Sequence, residues 1–198
     1  MSKAERTRQF IIEQTAPVFN KQGYAGTSLN DLTAATGLTK GAIYGNFENK
    51  EEVALAAFDY NLELVQQPLR AGAASGSTVR EKLLAMPRYY RNAYPTLKLR
   101  GGCPILNAAV ECDDAPPSAL LLRVQDSFAK WHRNLMHLIE KGQATGEVRS
   151  SVDASHYANL FIALTEGGIL VSKATGSSTA LFASLNHIEH LIENELVA

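Results

Sequence analysis

Thr27-Ser-Leu-Asn-Asp-Leu-Thr-Ala-Ala-Thr-Gly-Leu-Thr-Lys-Gly-Ala-Ile-Tyr-Gly-Asn-Phe-Glu-Asn-Lys-Glu-Glu52 holds three helix starts and two tight turns in one short span. Ser28 is a helix cap, and Asp31 three residues later returns the contact, a carboxylate version of the capping box. The helix that follows turns Leu29, Leu32 and Ala35 inward. It stops at Gly37, whose missing Cβ admits the left-handed conformation a sharp turn needs. Thr39 caps a second short helix over residues 40–47, and Asn49 with Glu52 starts a third. Two short helices joined by a glycine turn form the helix-turn-helix unit, which lays its second helix in the major groove of DNA.

Outward from this stretch the pattern stays helical, with no convincing run of alternating strand residues. A first helix over 3–22 buries Ile12, Ala16 and Phe19, and Pro17 inside it predicts a bend. A fourth helix after Asn49 carries Val53, Ala57, Tyr60 and Leu64 until Pro68 stops it, and 71–77 is a flexible connection. Residues 79–93 read as a helix broken near Pro87, and 99–104 as a turn into a short helix ending at Cys112. Pro116-Pro117 opens the longest helix, whose apolar positions Leu121, Val124, Phe128, Trp131, Leu135 and Leu138 repeat at threes and fours. Helices over 154–174 and 179–196 complete about nine. Their stripes are Tyr157, Leu160, Phe161, Leu164 and Val171, then Leu181, Leu185, Ile188 and Ile192. The expectation is an all-α chain.

Composition sets the class. The chain has 198 residues, 45% hydrophobic and 20% charged, with a formal net charge of −1. That excludes indiscriminate nucleic-acid binding but not a local footprint. Residues 1–50 carry Lys3, Arg6, Arg8, Lys21, Lys40 and Lys50 against Glu5, Glu13, Asp31 and Glu48, a surplus of two cations, so the remainder carries −3. A basic head on an acidic body suits a molecule that meets phosphate at one end. The opening residues are charged and lack a signal-peptide core, no apolar run reaches membrane-span length, and Cys103 and Cys112 suit a reducing compartment. A cytoplasmic location is expected.

The segment 26–53 resembles the DNA-binding domain of TetR-type bacterial repressors. Thr27-Ser28, Asp31, Gly37, Thr39-Lys40-Gly41, Tyr44, Phe47 and Asn49-Lys50-Glu51 carry the resemblance, which extends back to Phe19, Gly23 and Tyr24. One departure is Asn46, where the family usually has His; Asn keeps the ability to bond a phosphate or a base edge. The resemblance implies a helix-turn-helix head over 1–50 and a helical effector-binding and dimerisation body over 51–198. It also implies a homodimer, packed through the last two helices, that grips palindromic double-stranded operator DNA as a repressor until a small-molecule effector releases it.

Within the head, Thr39 and the helix start behind it offer a hydroxyl and N–H groups to phosphate. Lys40 is a cation beside the groove, Gly41 and Ala42 let the backbone approach base edges, and Tyr44 reaches sugar or phosphate. Thr27, Ser28 and Lys50 suit flanking phosphates. Ile43 and Phe47 are core.

In the body, Tyr60, Tyr89, Tyr90, Tyr94, Phe128, Trp131 and Phe161 are candidates to line an effector pocket, with Asn107, Glu111, His132 and Glu166 as polar groups to orient a ligand. Taken singly, each of these aromatics reads first as core; the pocket is expected of the set. The stripes of the last two helices, and the small pair Gly167-Gly168, read either as a dimer interface or as the subunit's own core. Gly102-Cys103-Pro104 through Glu111-Cys112 is similar to a Gly-Cys…Glu segment in TetR-type regulators that include electrophile-sensing repressors. This supplies the alternative, a sensor acting through Cys103, whose place after a turn near a helix start lowers a thiol pKa; the other reading is an inert packed thiol. His132, His137, His156, His187 and His190 form no metal set, and no phosphate loop, Ser-His-Asp arrangement or acid/base carboxylate pair appears. Neither an enzyme nor a cofactor is expected.

Overall fold

The computed structural model describes residues 2–112 and 118–198, and they form nine α-helices and no strand. These are α1 (Lys3–Gly26), α2 (Leu29–Thr36), α3 (Lys40–Tyr44), α4 (Lys50–Ser75), α5 (Val79–Leu99), α6 (Pro104–Cys112), α7 (Ala119–Thr145), α8 (Ala154–Thr175) and α9 (Thr179–Leu191). A π-helical turn, Ile192–Leu196, follows where the expected last helix simply continued. The helix start expected at Pro116-Pro117 lies outside the described residues.

The chain groups into two compact units, Met1–Val65 with Arg100–Val124 and Gln66–Leu99 with Gln125–Ala198. In the first unit α1 packs on α2 and α6, and α2 on α3. Its core joins Ile11, Ala16, Phe19, Leu32, Ile43, Phe47, Val53, Ala54 and Ala57. Segment 104–112, counted with the body from sequence, belongs to this unit. In the second unit α8 packs on α9 and α5 on α9. Its fully buried side chains include Tyr90, Leu83, Ile139, Phe161, Ile169, Leu181, Leu185, Ile188 and Ile192.

The prolines act differently from the expectation. α1 keeps helical dihedrals through Pro17, and its one departure is Gly23, at φ 78° and ψ 171°. Pro68 does not stop α4, and Pro87 does not break α5. Proline inside a helix costs about 3 kcal/mol, whereas each fully buried large apolar side chain contributes about 1.5–3 kcal/mol. α5 buries Leu83, Leu84, Met86, Pro87 itself, Tyr90, Tyr94 and Leu97, so burial outweighs the lost donor. Pro68 is exposed, and water can serve the carbonyl left without a donor.

Candidate nucleic-acid interface

The motif's geometry rests on short-range bonds. The Ser28 hydroxyl accepts from the Asp31 N–H at 3.3 Å while the Asp31 carboxylate accepts from the Ser28 N–H at 2.7 Å and its hydroxyl at 2.6 Å. These bonds from Ser28 hold the Asp31 carboxyl below its ordinary pKa. α2 ends at Gly37, left-handed at φ 68°, whose N–H donates to the Thr33 carbonyl. Thr39 then caps α3, accepting from the Ala42 N–H at 3.2 Å.

α3 is shorter than the expected 40–47 because Asn46 closes it. Its side-chain Nδ2 donates to the Ala42 carbonyl at 2.9 Å, the acceptor that a continuing helix would have given to Asn46's own N–H. This side chain therefore has a structural task besides any contact with DNA. Thr39, Lys40 and Gly41 are exposed, Ala42, Tyr44 and Lys50 half-buried, and Ile43 and Phe47 buried. The Lys40 ammonium lies 6.0 Å from the Tyr44 ring centre, and that of Lys50 lies 4.5 Å from the Tyr24 ring centre.

Thr27 is corrected. It is buried and its hydroxyl donates to the Gly23 carbonyl at 2.6 Å, so it stitches α1 to α2 instead of facing phosphate. Ser28 remains exposed. Sequence reasoning missed Arg8, whose guanidinium stacks on Phe47 at 3.9 Å, donates to the Asn46 carbonyl and pairs with Glu52 at 2.6 Å. Glu52 accepts from the Glu48 N–H at 2.6 Å; that bond first, then Arg8, holds its pKa below the ordinary value. No local pattern reveals this corner, since its partners lie 38 and 44 residues from Arg8.

The expected effector residues fall in different units. Tyr60, Cys103, Asn107 and Glu111 belong to the first, the other eight to the second. Asn107 and Glu111 are already engaged: Asn107 Nδ2 donates to the Asn20 and Gly101 carbonyls, both at 2.9 Å, and the Glu111 carboxylate accepts two N–H groups of α1. Both line a cavity of about 40 Å³, with Phe19, Phe58, Asn61 and Leu120, room for about one water. Cys103 is 2% exposed, and the Cys112 thiol donates to the Ala108 carbonyl.

In the second unit Tyr90 stacks on Trp131 with centroids 6.3 Å apart and meets Tyr89 edge-on at 5.2 Å. Phe161 is fully buried against Tyr157, and Glu166 is buried in α8. Phe128 is half-buried, and His132 is within 3.2 Å of the Ser155 hydroxyl. Tyr94 is 5% exposed and its hydroxyl has no hydrogen-bond partner among the described residues. An open groove of about 610 Å³ runs beside Pro68, Gly72, Glu81, Arg88, Tyr89 and Asn92; of the expected effector residues only Tyr89 lines it.

The α8–α9 stripes also resolve. Leu181, Leu185, Ile188 and Ile192 are fully buried within the subunit. A Cβ on Gly168 would lie 2.9 Å from the Leu181 Cα, so this glycine permits close helix approach inside the subunit, whereas Gly167 opens to space. Leu170 and Val171 are each 48% exposed, and with Ala163, Gly167 and Ala174 they form the outward face of α8.

Residues 11–57 match the model of the bacterial regulatory proteins of the tetR family, and residues 80–188 that of the tetracyclin repressor-like C-terminal domain. A solved TetR-family regulator from Cytophaga hutchinsonii is 46% identical, superimposes with TM-score 0.92, and is covered over 98% of its length by all of this chain. Another, from Chloroflexus aurantiacus, is 39% identical with TM-score 0.94, each chain covered in full. The HTH-type transcriptional repressor DhaR of Mycobacterium sp. is 30% identical over 170 residues, 84% of this chain and 82% of DhaR.

Proposed function

We propose, for a chain that belongs to the TetR family of bacterial regulatory proteins, the role of a dimeric cytoplasmic repressor that a small molecule releases from a palindromic operator. The family's members are DNA-binding transcriptional regulators and not enzymes. The observation that carries the DNA reading is the exposed face Thr39-Lys40-Gly41 on a helix fixed behind the Gly37 turn. Thr39 and Lys50 take phosphate, Gly41 and Ala42 approach base edges, and Ser28, Lys40, Tyr44 and Asn46 complete the footprint. DhaR, a named repressor, supports repression over activation.

One such helix reads too few base pairs for specificity, so two copies bind half-sites about 34–36 Å apart. The partner copy packs on the outward α8 face of Gly167, Leu170 and Val171. An effector enters the second unit near Tyr94, whose buried hydroxyl costs about 1–3 kcal/mol while unbonded. Tyr90 stands one turn before it on α5, so the ligand class is an aromatic or apolar molecule with one polar group. Its binding, carried by α4 through residues 51–66, alters the spacing of the recognition helices.

The test is fluorescence anisotropy with an inverted-repeat duplex selected from a random pool. Lys40→Ala should weaken binding about tenfold or more and lower the salt slope by about 1 per lost phosphate contact. Equal binding by wild type and a Lys40→Ala/Tyr44→Ala double variant refutes the interface.

The second reading, release through Cys103, faces the burial of that thiol. Both cysteines should label far more slowly in the folded protein than in urea. Selective rapid labelling of Cys103, with release lost in Cys103→Ser, would establish the covalent input instead.

A further inference from the structure

We infer that Glu111 is a positioning residue for operator binding: its carboxylate clamps the turn that delivers the chain into the helix-turn-helix. Gly23, at φ 78°, breaks α1 and leaves the N–H groups of Tyr24 and Ala25 without helical acceptors. Successive N–H groups after such a glycine form a concavity that takes an anion. Glu111 fills it from α6, its Oε2 accepting from Tyr24 at 2.7 Å and its Oε1 from Ala25 at 2.6 Å. The backbone here favours glycine, and any larger residue would displace the carboxylate. The φ is left-handed, and a Cβ at residue 23 would lie 2.7 Å from Glu111 Oε2.

Downstream of the clamp the chain runs directly into the proposed DNA face. The Gly23 carbonyl takes the Thr27 hydroxyl, Ser28 next to it caps α2, and the Tyr24 ring carries the Lys50 ammonium. One turn earlier on α6, Asn107 bonds Asn20, and the Asn20 side chain donates to the Arg100 and Gly102 carbonyls at 2.8 and 3.1 Å. Asn107 and Glu111 are four residues apart, so one face of α6 holds α1 at two points a turn apart. α6 thereby sets the attitude of α2 and α3 without touching DNA.

This rests on DNA binding through α3, and wild-type binding to the selected duplex in the same assay separates failure of one from failure of the other. Glu111→Ala should raise the operator Kd about tenfold, because the released turn must be ordered on binding, while the melting temperature falls by only a few degrees and assembly is unchanged. Amide exchange at Tyr24 and Ala25 should accelerate. Because the variant leaves the anion concavity vacant, sodium formate should restore part of the affinity relative to sodium chloride at equal ionic strength, and leave wild type unchanged. Glu111→Gln, which keeps one acceptor oxygen, should fall between the two. Wild-type affinity in Glu111→Ala overturns the inference. So does weakened binding in both variants that tracks lost helical signal and ignores formate.

Discussion

In the helix-turn-helix the groups that decide geometry lie within four residues of one another: Ser28 with Asp31, Gly37 with Thr33, Thr39 with Ala42. In the α8–α9 layer they lie on different helices. Ser178 precedes α9 but makes no side-chain cap; the Ser172 hydroxyl of α8 accepts from the Leu181 N–H at 2.9 Å instead. Gly37 serves its own turn, whereas Gly168 serves the approach of Leu181 from another helix. Local capping fixes a short element and leaves its outer face available for a partner. Non-local packing consumes the faces it uses, so amphipathicity there does not say which stripe faces another copy.

The two faces of the α8–α9 layer offer the largest test. Leu185→Asp places an unpaired charge in a fully buried site and should cost at least about 3–5 kcal/mol, seen as unfolding of the subunit. Val171→Asp, on the outward face, should leave subunit melting near wild type while sedimentation shows monomer. If Leu185→Asp yields a folded monomer, the stripe assignment is reversed.

A second test compares the caps. Ser172→Ala leaves the buried Leu181 N–H without its acceptor and should cost about 1–3 kcal/mol, read by urea denaturation, with little direct effect on operator contacts. Thr39→Ala should cost about 1 kcal/mol of stability but a larger fraction of operator affinity, since the same hydroxyl is offered to phosphate. Equal losses of affinity in the two variants would erase the distinction between local and distant caps.

The smallest effect is in acid. Asp31 has its folded pKa depressed by Ser28, so its contribution is present above the unfolded-state pKa and fades as pH falls through the folded one, from about pH 4 downward. A melting series at pH 3–6 should show wild type losing slightly more than Ser28→Ala on acidification. Parallel losses would mean that the box does not discriminate between charge states.

The head was legible because its signals are short-ranged: the caps, the Gly37 turn, the buried Ile43 and Phe47, and the exposed Lys40 all follow from neighbours in sequence. Thr27 is misplaced because its hydroxyl answers to the carbonyl of Gly23, just past the expected helix end at residue 22, and the kink that brings the two together leaves no local pattern; the bend expected at Pro17 is absent. The prolines of α4 and α5 misled for a related reason, since propensity is local while the burial that overrides it is not.

The sequence by itself determined an all-helical chain with a helix-turn-helix at its N-terminal end, because periodicity and capping are properties of adjacent residues. Only the tertiary structure decided that Glu111 and Asn107 of α6 bond to α1, and that Leu185 and Ile188 are interior while Leu170 and Val171 face outward. Those assignments depend on contacts between residues far apart in the chain, and a helical stripe has the same spacing whichever neighbour covers it.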